Sequence, residues 1–229
     1  RMRKLTGIIL LLIIAAGIAL ALSEIPFGIP KTKIGDHFTS KGVEETGAVN
    51  IVTSVVLNYR GFDTLGEITV LFTAAIGLGA VLSTFRKRGN SDIPEPASLI
   101  VYTGCRFLFP VIMLTGIYIF IHGHLTPGGG FQGGAIIASA FLLMYLGCKG
   151  KRIDYKISTV TEVVGGLIFV GIGITGLILG KDFLFNFMDK GEPNTLLSAG
   201  IIPVIYIAVG LKVGSELAGI IDNLMEKSE

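Results

Sequence analysis

Ionisable side chains inside long apolar runs are where this sequence could do chemistry, because each is costly in hydrocarbon unless protein or water compensates it. Asp63 and Glu67 open such a run in YRGFDTLGEITVL and stand four residues apart, so a helix carries both on one face. Two carboxylates on one face could receive a cation or relay a proton. The plainer reading is helix N-terminal charge stabilised by the macrodipole, with Arg60 close enough to pair with one of them. A second set comprises Arg106, Glu162, Lys212 and Glu216, distributed over three further apolar runs. Counted at a rise of about 1.5 Å per residue, all four fall roughly 7 to 13 Å inside the same membrane boundary. Lys212 and Glu216 are also neighbours at i,i+4 on one helix. Two positive and two negative charges at one depth can cancel, as a buried ion-pair cluster that sets helix packing or as a hydrated charge relay. Lysine is the member whose protonation responds to burial, whereas arginine stays charged.

A third constellation is the connection HGHLTPGGGFQGG, residues 122–134. A metal site at His122 and His124 would need further ligands at suitable spacing, and no HExxH pattern is present. A haem held by two histidines would need them on opposing elements, which H-x-H does not provide. Hydrogen bonding is the first reading for this pair and proton handling the second. Pro127 cannot donate a backbone hydrogen bond, and Gly128, Gly129 and Gly130 admit conformations closed to other residues, so the chain must leave regular helix here. Exposed amides of such a turn also offer an anion or water site. Gly133, Gly134, Ala135, Ala138 and Ser139 then give the next helix a small-residue flank for close packing. Cys105 and Cys148 lack metal-ligand spacing and read as small hydrophobes.

The elements that must position these residues are membrane helices. Hydrophobic residues make up 51% of the 229, charged residues 16%, and mean hydropathy is +0.72, a balance that excludes an ordinary soluble domain. A net charge of +2 gives no reason to expect nucleic-acid binding. Six stretches reach the roughly 20 apolar residues that a spanning helix needs: residues 5–22, 62–85, 98–121, 131–148, 157–180 and 196–221. The segment 48–57, AVNIVTSVVL, is too short to cross and carries Asn50 and Ser54, so it is expected as a short helix at the surface or packed into the bundle. The expected fold class is all-α, a polytopic transmembrane helical bundle of about six spanning helices plus one short non-spanning helix.

With the N-terminus inside, RKR at 86–88 and KGKR at 149–152 lie in inner loops beside helix ends. Lys31, Lys33, Lys41, Arg60, Lys181 and Lys190 lie outside. That bias follows the positive-inside rule and puts both termini on the cytoplasmic side of the cell membrane. The first run also has a signal-peptide reading, because RMRK precedes it and Ala19-Leu20-Ala21 offers small residues. Its length exceeds an h-region, and the reading taken is an uncleaved helix. The stretch EIPFGIPKTKIGDHFTSKGVEET suits an exposed connection, with His37 solvated and unpartnered. An enzyme in the membrane would need a nucleophile with a base, or a metal set, and neither is visible. An independent transporter is expected to show an inverted repeat, and none is visible.

The stretches IHGHLTPGGGFQGGAIIASAFLLMYL and LLSAGIIPVIYIAVGLKVGSEL resemble the B subunit of multisubunit Mrp-type Na+/H+ antiporters. Upstream, TGAVNIVTSVVLNYRGFDTLGEITVLFTAAIGLGAVL resembles the carboxy-terminal region of the large A subunit. The resemblance implies an A-tail-like module over residues 1–90 and a B-like module over 91–229, joined near RKRGNSDIPEPAS. Similar modules accompany redox arms in complex I-related hydrogenases and sulfur-reducing complexes. The likeness implies a non-catalytic membrane subunit with no bound cofactor, contributing to a Na+ or H+ path. Its partners would be other antiporter subunits, with or without a redox arm; the competing expectation is a purely structural scaffold. The family's transport motif falls on Asp63 and Glu67, and its lysine and glutamates correspond to Lys212, Glu216 and Glu162.

Overall fold

The computed structural model describes residues 2–23, 33–84, 98–148, 154–180 and 182–228. These are helices joined by turns, and no strand occurs among the described residues. In chain order they are α1 (Met2–Ser23), α2 (Lys33–Thr46), the single turn α3 (Ile51–Thr53), a π-helical stretch (Ser54–Tyr59), α4 (Gly61–Thr84), α5 (Leu99–Ile121), α6 (Gly130–Gly147), α7 (Tyr155–Gly180) and α8 (Ile202–Ser228). Among the described residues, six helices are long and apolar enough to cross a membrane: Lys4–Ser23, Gly61–Leu82, Leu99–Ile121, Gly130–Gly147, Lys156–Gly180 and Ile202–Met225. The protein is therefore an all-α, multi-pass membrane protein. The chain forms two compact units, Arg1–Asp36 and His37–Glu229. In the first, α1 is apolar on all sides and exposes nearly every described side chain, as a helix solvated by lipid or by other chains does.

Four expectations change. The sixth span begins at Ile202 rather than at 196, because Ala199 and Gly200 both take positive φ, 68° and 59°, and close turns ahead of it. Pro203 then sits in the first turn of α8, where its missing N–H costs nothing. Part of the expected loop before the second span is helical: Lys33–Thr46 contains no proline and forms α2. His37 is not unpartnered, since its Nε2 lies 3.3 Å from Glu45 Oε2 and its ring meets Phe38 and Tyr59 edge-on. The short segment is helical over 51–59, shifted from 48–57, and packs into the bundle with Thr53, Ser54 and Leu57 buried. Asn50 caps it by accepting from the Val52 amide at 3.1 Å. The basic clusters at 86–88 and 149–152, with Arg1, Lys31, Lys181 and the expected module join at 90/91, lie outside the described residues.

In the second unit α8 is the hub, meeting α4, α5, α6 and α7, and the glycines of α6 let α5 and α8 approach it closely. A Cβ on Gly133 would stand 2.7 Å from the Gly116 carbonyl of α5, and one on Gly134 would stand 2.9 Å from the Gly214 amide of α8. Gly133, Gly134 and Ala138 thus pack as the small-residue flank implies, while Ala135 and Ser139 face outward and Ala140 is buried instead. The contacts run in register. Gly130 meets Val209 and Gly134 meets Val213, so α6 and α8 are parallel; Ser158 meets Ser215 and Gly165 meets Ala208, so α7 and α8 are antiparallel. One apolar cluster, including Leu57, Ile68, Phe169, Ile205, Val209 and Val213, joins the short helix, α4, α7 and α8.

Candidate functional site

The turn between α5 and α6 is built as a hydrogen-bonded cap. Leu125 and Thr126 amides both donate to the His122 carbonyl at 2.9 Å. The short segment before α4 grips the same turn: Asn50 Nδ2 donates to the Gly123 carbonyl at 2.8 Å and to the Thr126 carbonyl at 3.0 Å, and the Asn50 amide donates to the His124 carbonyl at 3.0 Å. Thr53 Oγ1 donates to the Gly123 carbonyl at 2.8 Å and lies 2.7 Å from Tyr206 Oη of α8. His122 is half-buried, stacked on Tyr118 at 4.2 Å, with Nδ1 3.1 Å from the Tyr118 carbonyl. His124 is fully buried; its Nε2 lies 3.4 Å from the Thr195 carbonyl and its Nδ1 has no partner among the described residues. Burial holds the His124 imidazole below its ordinary pKa. Gly129, with φ of 154°, is required here, and a Cβ on it would also approach Gln132 Oε1 to 2.8 Å.

Beneath this cap, Gly128, Gly130 and Gln132 line a cavity of about 130 Å³ together with Thr64 and Glu67 of α4 and Tyr206 and Val209 of α8. That volume admits several waters, and the walls are polar enough to hold them. Glu67 therefore sits at the mouth of the α4–α8 seam, directly under the glycine turn. Asp63 does not join it. Although the two share a helix, Asp63 pairs with Arg60 at 2.5 Å and lines a separate vestibule of about 640 Å³ with Glu45, Tyr59, Asp182 and Lys190. In that vestibule the Tyr59 hydroxyl donates to Glu45 and holds the carboxyl below its ordinary pKa. Desolvation, then the hydrogen bond to Glu45, pushes the Tyr59 phenol up to about 12.

At the opposite end of the same seam lies the buried charge cluster. Lys212 Nζ donates to Glu216 Oε2 at 2.5 Å, both side chains being less than a tenth exposed. The lysine stem is laid against Gly165 and Gly166 of α7, where a Cβ on Gly165 would meet Lys212 Cβ at 3.1 Å. Its ammonium stands 5.5 Å from the Phe72 ring centre of α4. Glu216 Oε1 has no partner among the described residues, and Glu216 lines a cavity of about 360 Å³ shared with Glu162, Ser158, Tyr145 and Asp222. Glu162 lies within electrostatic range of both Lys212 and Glu216. Arg106, expected in this cluster, is elsewhere: it is exposed on α5, with Nη1 3.4 Å from Tyr102 Oη and its guanidinium 5.5 Å from that ring. Helical depth placed it at the right height but could not supply the azimuth. Between the two cavities stand Ile68, Val209 and Val213, buried and apolar.

Thr53 and Tyr206 gave no signal in sequence, because a hydroxyl or phenol in an apolar run is common and their pairing spans 153 positions. Asn50 did: an amide in a run too short to cross the membrane is a capping or bridging residue.

A multi-pass helical membrane protein with polar cavities at both ends of one helix seam is the class that fold and site define. Residues 100–219 match the family model described as a domain related to the MnhB subunit of Na+/H+ antiporter, and residues 2–97 match MbhE, the E subunit of MBH. The chain belongs to the MnhB-related family. It is 28% identical to the probable K+/H+ antiporter A/B subunit of Rhizobium meliloti over 80% of its length, and it spans 21% of that longer protein. Among solved structures it resembles a chain of the membrane-bound sulfane sulfur reductase, an archaeal respiratory membrane complex. The TM-score there is 0.78, with 45% identity, 98% of this chain and 99% of that chain covered. It also resembles a chain of the Mrp complex from Dietzia sp. DQ12-45-1b, with a TM-score of 0.73, 25% identity, and 98% of this chain against 26% of that one.

Proposed function

We propose that this chain is a non-catalytic membrane subunit that contributes part of a Na+ or H+ path, with Glu67 at one mouth and the Glu162–Lys212–Glu216 cluster at the other. The observation that carries this reading is the placement of both polar cavities along the α4–α8 seam, separated by the short apolar plug at Ile68, Val209 and Val213. Carboxylate and backbone oxygens suit Na+ and protons alike, being harder ligands than imidazole or thiolate. The glycine-turn end is the outer one if the basic clusters at 86–88 and 149–152 face the cytoplasm, which puts both termini on the cytoplasmic side of the cell membrane. Residues 1–90 act as the A-tail-like module and 91–229 as the B-like module, supported by the adjoining family matches. Partners are other antiporter-type subunits, and the likeness to a respiratory complex supports a redox arm in the same assembly.

A scaffold role has one observation in its favour, the lysine stem packed on Gly165 and Gly166 as a structural wedge. Transport by the reconstituted whole complex separates the readings. Glu67→Gln is expected to lower coupled Na+/H+ movement about tenfold or more with assembly intact, since a carboxylate in the path has no neutral substitute. Asp63→Asn, already paired with Arg60, is expected to lower it less. Full transport by a normally assembled Glu67→Gln complex removes Glu67 from the path and leaves the scaffold.

A further inference from the structure

Cys105 and Cys148 belong to neither cavity of the proposed path. Cys105 lies in the second turn of α5 and Cys148 caps the end of α6; each is 2% exposed. Their sulfurs stand 2.9 Å apart across 43 residues of chain, less than an ångström beyond the ~2.05 Å of a bonded pair. Cys105 Sγ also lies 3.2 Å from the Tyr102 carbonyl. The approach depends on one glycine. A Cβ on Gly147 would stand 2.5 Å from Cys105 Sγ and 2.8 Å from Cys105 Cβ, so only glycine lets the last turn of α6 close over this thiol. Two small hydrophobes filling a gap would need no such approach of sulfur to sulfur.

We propose that Cys105 and Cys148 are a dithiol–disulfide pair, a modification site that joins α5 covalently to the end of α6. The oxidant is a low-molecular-weight disulfide. Cys148 reacts first because it caps a helix, where the last turn opens most readily. Its thiolate attacks one sulfur of the oxidant, the oxidant's S–S bond breaks, and one thiolate leaves and takes up a proton. The Cys105 thiolate then attacks the Cys148 sulfur of the mixed disulfide, forming the intramolecular bond and expelling the second thiolate, which is protonated in turn. Two protein thiols are oxidised, and their two electrons and two protons convert one small disulfide into two thiols. The bond holds the turn of α6 that carries Tyr145 to the cavity of Glu162 and Glu216, and its formation does not depend on which ion moves.

The test uses the intact complex, treated with oxidised glutathione or with a reductant, then quenched in acid, unfolded, labelled with N-ethylmaleimide and digested for mass spectrometry. Reduced samples are expected to carry label on both cysteines. Oxidised samples are expected to lose both labels together and to yield the joined Cys105 and Cys148 peptides, with reductant reversing the change. Gly147→Ala keeps both thiols yet is expected to cut the yield of joined peptide about fivefold or more, because the added methyl displaces Cys105. Three results overturn the proposal: both cysteines labelled after an oxidation that consumes an engineered surface cysteine, glutathione adducts without joined peptide, or an undiminished yield from Gly147→Ala. Wild-type labelling decides the matter even if that variant does not assemble.

Discussion

Lys212 and Glu216 hold each other's charge in a site where neither could stand alone. Removing the lysine by Lys212→Met leaves a carboxylate buried without a counter-ion and is expected to destabilise the unit by about 3–5 kcal/mol. The double variant Lys212→Met with Glu216→Leu removes both charges and is expected to recover most of that loss, as read from thermal denaturation of the purified complex. Transport separates the roles: if the recovered double variant moves ions at the wild-type rate, the cluster is a packing device. His124 supplies a pH dependence at the turn end. Its folded-state pKa lies below the unfolded value near 6.5 because burial disfavours the imidazolium. Below about pH 6.5 the unfolded chain therefore binds the proton more readily than the fold, so stability is full above that pH and falls as pH drops further. Melting temperature is expected to decline between about pH 6.5 and 5 in the wild type and to decline less in His124→Gln. Equal slopes would mean that the buried ring does not control acid sensitivity.

At the scale of elements, glycine positions decide which helices touch. Gly165 of α7 faces the Ala208 carbonyl of α8, which would lie 2.6 Å from an added Cβ, and the backbone there cannot yield as a flexible side chain would. Gly165→Ala is expected to push α7 away from Lys212 at a cost of about 1–3 kcal/mol, and to let water reach the Lys212–Glu216 pair, read as faster amide exchange along residues 208–216. Unchanged exchange with unchanged stability would show that the seam is looser than its contacts imply. The short helix before α4 is the other deciding element. Its π-helical run ends at Tyr59, and Thr64 Oγ1 donates to the Val56 carbonyl at 2.8 Å, taking up a group that the widened turn leaves over. Through Asn50 and Thr53 it ties the segment ahead of α4 to the glycine turn between α5 and α6.

At the scale of the whole molecule, much apolar surface remains uncovered. In α4 only 6% of the spanning window is buried inside the chain, and Gly66, Gly77 and Gly79 have nothing within 4 Å of an added Cβ. Glycines that make no internal contact, on the helix that carries an exposed Glu67, suit a neighbouring subunit more than lipid. The similar structures are chains of multisubunit complexes, which makes other complex subunits the partners of this chain.

Hydrocarbon imposes its demands locally, and those were legible in the sequence. A spanning helix must be a run of apolar residues of fixed length, so six spans and the all-α class could be read from composition and run length. The pair at Lys212 and Glu216 was legible for the same reason, since i,i+4 spacing on one helix is a local fact. The rotational setting of one helix against another is not local. It depends on which side chains interlock across tens of residues, and only the tertiary structure could turn Arg106 outward, divide Asp63 from Glu67 between two cavities, and bring Thr53 to Tyr206. The boundary at Ile202 was hidden likewise, because residues 196–201 are apolar enough to continue the span, and Asn186 takes both the Ala199 carbonyl, 3.1 Å from its Nδ2, and the Ile201 amide, 3.1 Å from its Oδ1. Hydropathy records the cost of leaving water, which each residue bears alone; packing and hydrogen bonding are shared between residues, and their partners are chosen by the fold.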